Sequence, residues 1–346
     1  KIDSNLRAYI EGAYQRNMRL AFRVVVDSRD KRTEFTPQFV KDAGAKGFMN
    51  KGKWSPYSDD PVFQKYYTKF VKALAKDFND PSKVEFIDGF GLGKWGEYHT
   101  MIYSTGDDTP KKAVFDWVTD IYSQAFDKVP VVINYHRWIG AGKDWVDDEH
   151  FAADSEEMLE EAIKKGYSLR HDAFGMTTYY GSWERRFAKK YRNICPIIME
   201  GGWIVKSHSY WQDPRGYRKD SHEDVRRGEF DDSKEAHVNM MDFRFGDTES
   251  WFKDAFDLVR RFLREGGYRL YPSEISLPLE VSKKTTPTIK HCWNNMGWGY
   301  CPTNIPQWNQ KYKVAFALLD SETNEVRYTF VDTNTCLLYT SDAADD

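Results

Sequence analysis

The alternation of apolar and polar positions divides the chain into short strands and amphipathic helices. "RLAFRVVV" (19–26) is a β-branched run that predicts a buried parallel strand. "TPQFVKDAG" reads as a turn or two of helix, with Pro37 early and Gly44 at its stop, and "KGFMN" as a weak strand. The clearest helix is "DDPVFQKYYTKFVKALAKDF". Asp60 suits its cap, Pro61 its first position, and Phe63, Tyr67, Phe70, Leu74 and Phe78 recur at helical spacing. "VEFIDGFGLG" follows as a strand.

The rhythm then repeats. A helix over 111–127 leads to the strand "VPVVINYH" (129–136), a helix over 155–165 to "YSLRHDAFG" (167–175), and a helix over 182–191 to "CPIIMEGGW" (195–203). A short helix near 221–235 precedes "HVNMMDFRF" (237–245), and a helix over 249–265 stops at Gly266-Gly267. Strands alternating with helices predict a parallel sheet covered by helices. The count is about seven strand–helix units beginning on a helix, against the eight that close a (β/α)8 TIM-type barrel. The expectation is therefore a barrel, residues 1–266, whose first strand lies upstream of Lys1. A doubly wound open sheet is the rival, and it lacks the Gly-rich phosphate turn after an early strand.

From Tyr268 the period changes to two. "YRLYPSEISLPLEV", "TTPTIKHCWNNMG", "KYKVAFALLD" and "EVRYTFVD" are split by Pro, Gly and Asn, the pattern of antiparallel strands in a small β-sandwich over 267–335, expected to be incomplete. Residues 336–346, from "CLLYTSDAADD", resemble translated adapter read-through of metagenomic assemblies and are expected to be a non-native tail. The start at Lys1, without a signal peptide or initiating Met, points to a native amino terminus further upstream. A secreted or periplasmic location in a bacterium is compatible with that, and the amino terminus itself leaves localisation unknown.

Composition narrows the partners. With 50 basic and 53 acidic residues the net charge is −3, which favours neither nucleic acid nor an anionic membrane. No apolar run approaches the roughly 18 residues of a membrane helix. The 4 cysteines make no disulfide framework; Cys195 lies in an apolar run, and Cys292 and Cys301 are near enough in sequence to pair or not. The aromatic load of 12 Trp, 21 Tyr and 22 Phe exceeds what a polar chain needs for its core. Trp54, Trp95, Trp138, Trp203 and Trp211 sit among polar, loop-like residues and would offer flat faces to a hydroxylated, partly apolar ligand.

Working residues of a (β/α)8 barrel project from the C-terminal ends of its strands. Those ends carry Arg23, Glu97, His136, Asp172 and Glu200, with Glu97 after the strand counted fourth and Glu200 ending the strand counted seventh. Two carboxylates at one mouth are what glycosidic cleavage needs: one protonated for the leaving oxygen, the other ionised to attack the sugar or activate water. Each has an adjacent tryptophan, Trp95 or Trp203. Taken singly, either Glu is more commonly a helix cap or an ion-pair partner. Strand alternation puts Arg170 and Asp172 on one face and His171 on the other, and a structural ion pair at Asp172 is as good a reading as a ligand contact.

The segment 61–100 ending in "WGEYH", then "LRHDAFG", "IIMEGGW" and "WNNMGWGYCP", resembles a bacterial family of glycoside-hydrolase-like (β/α)8 barrels known as a domain of unknown function. More distantly, the arrangement is similar to the clan of retaining glycosidases with a Glu acid/base after strand four and a Glu nucleophile at strand seven. The resemblance implies Glu97 as acid/base, Glu200 as nucleophile and no cofactor. That clan carries Asn before the acid/base to bond the sugar 2-hydroxyl, where this chain has Gly96. Either Asn134 or His136 supplies that bond, or Glu97 is not the acid/base.

No H-x-H, H-E-x-x-H or paired Cys-His spacing supports a metal site, and no G-x-S-x-G supports a serine nucleophile. The charge-rich stretch 204–249 reads as a solvated loop with a short helix, placed to wall a cleft. The expected function is hydrolysis of a poly- or oligosaccharide by two carboxylates, Glu97 and Glu200. Arg23, Trp95, Tyr98, His99, Asn134, His136, Asp172, Tyr179, Trp203 and Trp211 are the expected substrate contacts. The alternative is a non-catalytic carbohydrate-binding barrel of a polysaccharide-utilisation system. Sugar, linkage and oligomeric state are not legible.

Overall fold

A computed structural model describes residues 4–29, 31–142, 149–176, 179–202, 222–243, 250–282, 284, 286–309 and 313–332. The chain divides into two compact units: Lys1–His171 with Ser182–Glu184, and Asp172–Gly181 with Arg185–Asp346.

The first unit runs α1 (Ser4–Tyr14), β1 (Leu20–Arg23), α2 (Gln38–Asp42), β2 (Gly47–Asn50), β3 (Lys53–Pro56), α3 (Pro61–Phe78), β4 (Val84–Asp88), α4 (Lys111–Ala125), β5 (Val131–Asn134), α5 (Glu149–Lys164) and β6 (Ser168–His171). Strands β1, β4, β5 and β6 pair in that order, all parallel. The register sets Arg23 beside Asp88 and Asn134 beside Arg170, so polar residues at the C-terminal strand ends become neighbours. The β5 run is buried throughout, as its β-branched composition requires when both faces are covered.

Helix α3 starts where its sequence says it should. The Asp60 carboxylate accepts from the Phe63 amide at 2.8 Å, and Pro61 fills the first position. Its buried stripe is Phe63, Tyr67, Val71 and Phe78. Phe70, expected in that stripe, is exposed, because the row of residues four apart carries the contact and Phe70 flanks it, its ring 6.2 Å from Tyr67.

One strand expectation is corrected. "KGFMN" does not join the parallel series: β2 pairs antiparallel with β3 through a two-residue turn, Lys51 and Gly52, both at positive φ. With that hairpin set aside, β4 is second among the described parallel strands, one place earlier than a count that includes "KGFMN".

Helix α6 (Ser182–Tyr191) runs across the unit boundary. The second unit continues with β7 (Ile197–Met199), α7 (His222–Glu235), β8 (Met240–Met241), α8 (Phe256–Glu265), β9 (Leu270–Ser276), β10 (Lys290–Asn295), α9 (Pro306–Asn309), β11 (Val314–Leu319) and β12 (Val326–Asp332). Strands β7 and β8 are parallel. The helix expected over 249–265 is broken: Ser250–Asp254 form a π turn and Ala255 is non-helical before α8 begins. That break lets Trp251 bury completely under the Arg226 guanidinium, 4.8 Å from the ring centre.

The period-two region forms two antiparallel pairs, β9 with β10 and β11 with β12. Cys301 and Val314 form a small core there with Tyr268, Leu270, Trp293 and Phe316. Beyond that core, Leu318, Val326, Tyr328 and Phe330 stand exposed. Cys195, Cys292 and Cys301 are free thiols, so Cys292 and Cys301 do not pair. Burial pushes the Cys301 thiol up to about 11 and raises that of Cys195 further.

The architecture is thus mixed α/β with parallel strands and small antiparallel sheets. The described residues hold six parallel strands, four in the first unit and two in the second, and no closed ring of eight is present among them. No helix among them is long and apolar enough to cross a membrane.

Candidate active site

The turn after β4 is built on backbone geometry that side chains resist. Gly91, Gly93, Trp95, Gly96, Tyr98 and Thr100 all have positive φ, from 49° to 80°. Three of the six are not glycine, and such conformations persist only where the surroundings enforce them. Here the enforcement is visible. The amide of Tyr98 donates to Leu92 O at 3.0 Å and that of Lys94 to His99 O at 3.1 Å. Below them, the buried hydroxyls of Tyr67 and Tyr167 donate to Phe90 O and Gly89 O, each at 2.8 Å.

Gly96 has a steric reason. A Cβ at that position would lie 2.7 Å from Val24 O, at a φ of +77°. No asparagine fits there without moving backbone, so the retaining clan's pattern cannot be reproduced at residue 96.

Glu97, only 4% exposed, ends inside a polar cluster. Its Oε1 accepts from Arg23 Nη1 at 2.8 Å, with Arg170 Nη2 at 3.8 Å. Its Oε2 lies 3.4 Å from His99 Nε2. Its carbonyl lies 2.9 Å from His136 Nε2. Since a carbonyl only accepts, His136 Nε2 carries the proton, while Nδ1 accepts from the Trp138 amide at 3.2 Å. The two bonds fix the Nε2–H tautomer.

Asp88 ties the cluster together. Its Oδ2 accepts from Arg23 Nε at 2.9 Å and from Arg170 Nε at 2.7 Å, so one carboxylate aims two guanidiniums toward Glu97. The other oxygen, Oδ1, is buried without a partner among the described residues. An arginine can only donate, so Glu97 Oε1 is committed as an acceptor. Oε2 is the oxygen on the His99 side.

The structure gathers Arg23, Glu97, His99 and His136 into this cluster, and Asn134 ends β5 in register with Arg170. Trp95 is 38% exposed beside it, 5.6 Å from the His99 ring, with Lys94 Nζ 4.2 Å above its own. Tyr98 points the other way. It is buried against Phe90 and Phe115 and donates to Lys111 O at 2.7 Å, so its side chain serves the core. Trp54 and Trp138, expected to offer exposed faces, are both buried; Lys41 lies over one ring and Arg137 over the other. Trp203, Trp211 and most of the 204–249 stretch lie outside the described residues.

Asp172, Tyr179 and Glu200 belong to the second unit. Glu200 directly follows β7 and is half-buried, as is Asp172. Tyr179 packs on Ala173, Met176 and Val225. Helix α7 holds the loops that follow β6 and β7. Glu229 accepts from the Gly202 amide at 2.8 Å and pairs with the buried Arg226, while Asp232 accepts from the Gly175 amide at 2.7 Å and pairs with Arg185. The bond from the Gly202 amide to Glu229 anchors the chain two residues beyond Glu200.

Sequence reasoning passed over Asp88, Lys94, Glu229 and Asp232. Asp88 had a signal, a carboxylate closing the strand "VEFID" beside a glycine. The α7 pair had none, because their partners are backbone amides far along the chain. Among the described residues no group of three His, Cys, Asp or Glu side chains is placed to hold a metal ion. The chain matches no family model and no curated protein.

Proposed function

We propose that the chain is a glycoside hydrolase on a (β/α)8-type barrel with a C-terminal β-sandwich, acting on a poly- or oligosaccharide with retention. The observation that carries this reading is a nearly buried carboxylate, Glu97, held on a strained turn beside an exposed tryptophan. Strain of this kind is concentrated where function requires it. In this reading Glu97 gives its proton to the leaving oxygen, and Glu200 is the ionised partner. Release of wild-type product from aryl glycosides or glycans tests it. Glu97→Gln and Glu200→Gln should each lower turnover about a hundred- to ten-thousandfold. Full activity in either variant removes that residue from the mechanism.

A second reading, carbohydrate binding without cleavage, draws on the Arg23 contact, which suits a fixed acceptor better than a proton donor. Oligosaccharide binding with no product anywhere between about pH 4 and 8, where such carboxylates titrate, would select it.

A further inference from the structure

We propose that the outer face of α3 is a docking surface for an acidic polysaccharide, a linear chain with one carboxylate on each sugar ring. It lies opposite Tyr67, whose hydroxyl supports the Glu97 turn from the inner face of the same helix. The inference shares its ligand class with the reading above and uses none of that site's residues. Lys65, Lys69, Lys72 and Lys76 are all exposed. Spaced four, three and four residues apart, they form a single file opposite the buried stripe of Phe63, Tyr67, Val71 and Phe78. Among the described residues none of the four has a carboxylate partner; Lys69 meets the Tyr66 ring, 5.6 Å from its Nζ. Lysines elsewhere in the same unit are neutralised, Lys112 by Asp154 and Glu157 and Lys164 by Glu161. On α3 Asp77 is the one carboxylate, so like charges stand a turn apart along the whole file, an arrangement that weakens a helix by itself. The chain is acidic as a whole, with a net charge of −3, and this file reverses it locally.

Spacing and neighbours select the partner. Successive lysines rise about 4.5–6 Å along the axis, and the file is about 16 Å long. Duplex nucleic acid carries a charge every 1.7 Å or so, far denser than that. A polymer with one carboxylate per ring spaces its charge on the scale of the lysines. A bilayer offers a plane, to which a file one residue wide is a poor match. Beside the file lies an aromatic shelf. Tyr66 and Phe70 stand one turn apart on the flank of α3, and Phe39 of α2 meets the Tyr66 ring at 5.5 Å. Phe39 and Phe70 are both exposed. Flat apolar rings next to a row of cations suit a ligand whose faces are apolar and whose edge is charged.

The test is isothermal titration of the full chain with decamers of polygalacturonate, polymannuronate and glucuronan, each beside its uncharged methyl ester. At low salt at least one acid should bind about tenfold or more tightly than its ester, a preference that fades near 0.15 M, where the screening length is about 8 Å. The combined variant Lys65→Gln, Lys69→Gln, Lys72→Gln and Lys76→Gln should lose the preference with its melting temperature unchanged or raised, since glutamine is an equally good helix former without the repulsion. Phe39→Ala should weaken binding of the acid, and Glu97→Gln should keep the preference in full. No acid preferred over its ester, or a preference that survives in the fourfold variant, overturns the surface. So does tighter binding of duplex DNA or phosphatidylserine vesicles through the same lysines. Each of these results leaves the hydrolase reading where it stood, whereas binding on α3 without cleavage of any glycan removes that reading alone.

Discussion

Arg23 donates from Nη1 to Oε1 of Glu97 at 2.8 Å, joining the end of β1 to a turn 74 residues further along the chain. The same guanidinium meets Asp88 through Nε. Removing it takes a charged donor from two nearly buried carboxylates. Arg23→Met should cost about 2–4 kcal/mol in urea unfolding, somewhat under the usual figure for a broken buried pair because Arg23 is one-fifth exposed. Arg23→Lys should recover only part, since an ammonium cannot reproduce the fork to both carboxylates. A loss under about 0.5 kcal/mol, the level of an ordinary surface change, would show the cluster to be mechanically idle.

Gly96 and Gly106 offer a matched comparison. Both have positive φ, yet a Cβ on Gly106 meets nothing within 4 Å, whereas one on Gly96 strikes Val24 O. Gly106→Ala should cost about 1–2 kcal/mol, the conformational penalty alone. Gly96→Ala and Gly96→Asn should exceed it by about 1–3 kcal/mol from forced repacking. Equal melting temperatures for the two alanine variants would count against the close approach.

The tyrosines beneath the turn predict a steep alkaline limit. Burial raises the hydroxyl pKa values of Tyr67, Tyr98 and Tyr167 well above 10.0. Their folded values exceed their unfolded ones, so their contribution is complete below about pH 10 and drains away as pH climbs beyond it. Phenolate absorbance of this group should therefore appear only together with loss of the circular-dichroism signal. Smooth ionisation of every tyrosine in the intact fold would contradict it. Tyr67→Phe, which deprives Phe90 O and the Tyr122 hydroxyl of a partner, should cost about 1–2 kcal/mol at neutral pH.

Glu229 and Arg226 are both essentially sealed from solvent. Glu229→Ala removes the carboxylate that pairs with the guanidinium and accepts from the Gly202 amide, for a loss of about 3–5 kcal/mol in denaturant unfolding. Glu229→Gln keeps an acceptor for Gly202 and should lose less. The reverse ranking would place the weight of the contact elsewhere.

What could be read in advance followed from periodicity. Helix α3 was legible through Asp60 and Pro61, and β5 through its β-branched run, because those signals are local. Strand β3 was not: "KWSP" is polar and ends in proline, and it becomes a strand only because β2 lies opposite. That hairpin accounts for one place of the strand count. Arg23, Glu97, His99 and His136 were legible as residues near strand ends. The role of Asp88 was not, since it depends on register between β1 and β4, which no single stretch of sequence encodes.

The chain of left-handed residues from Gly91 to Thr100 also has a practical meaning for anyone wishing to retune this protein. A scaffold so rigidly prescribed gives variation few outlets: most replacements would break the frame before they could alter what it holds. Lys94, which is not among the left-handed residues and is only half-buried, is the place where chemistry can be exchanged while the frame stays put, and a small combinatorial library should begin there.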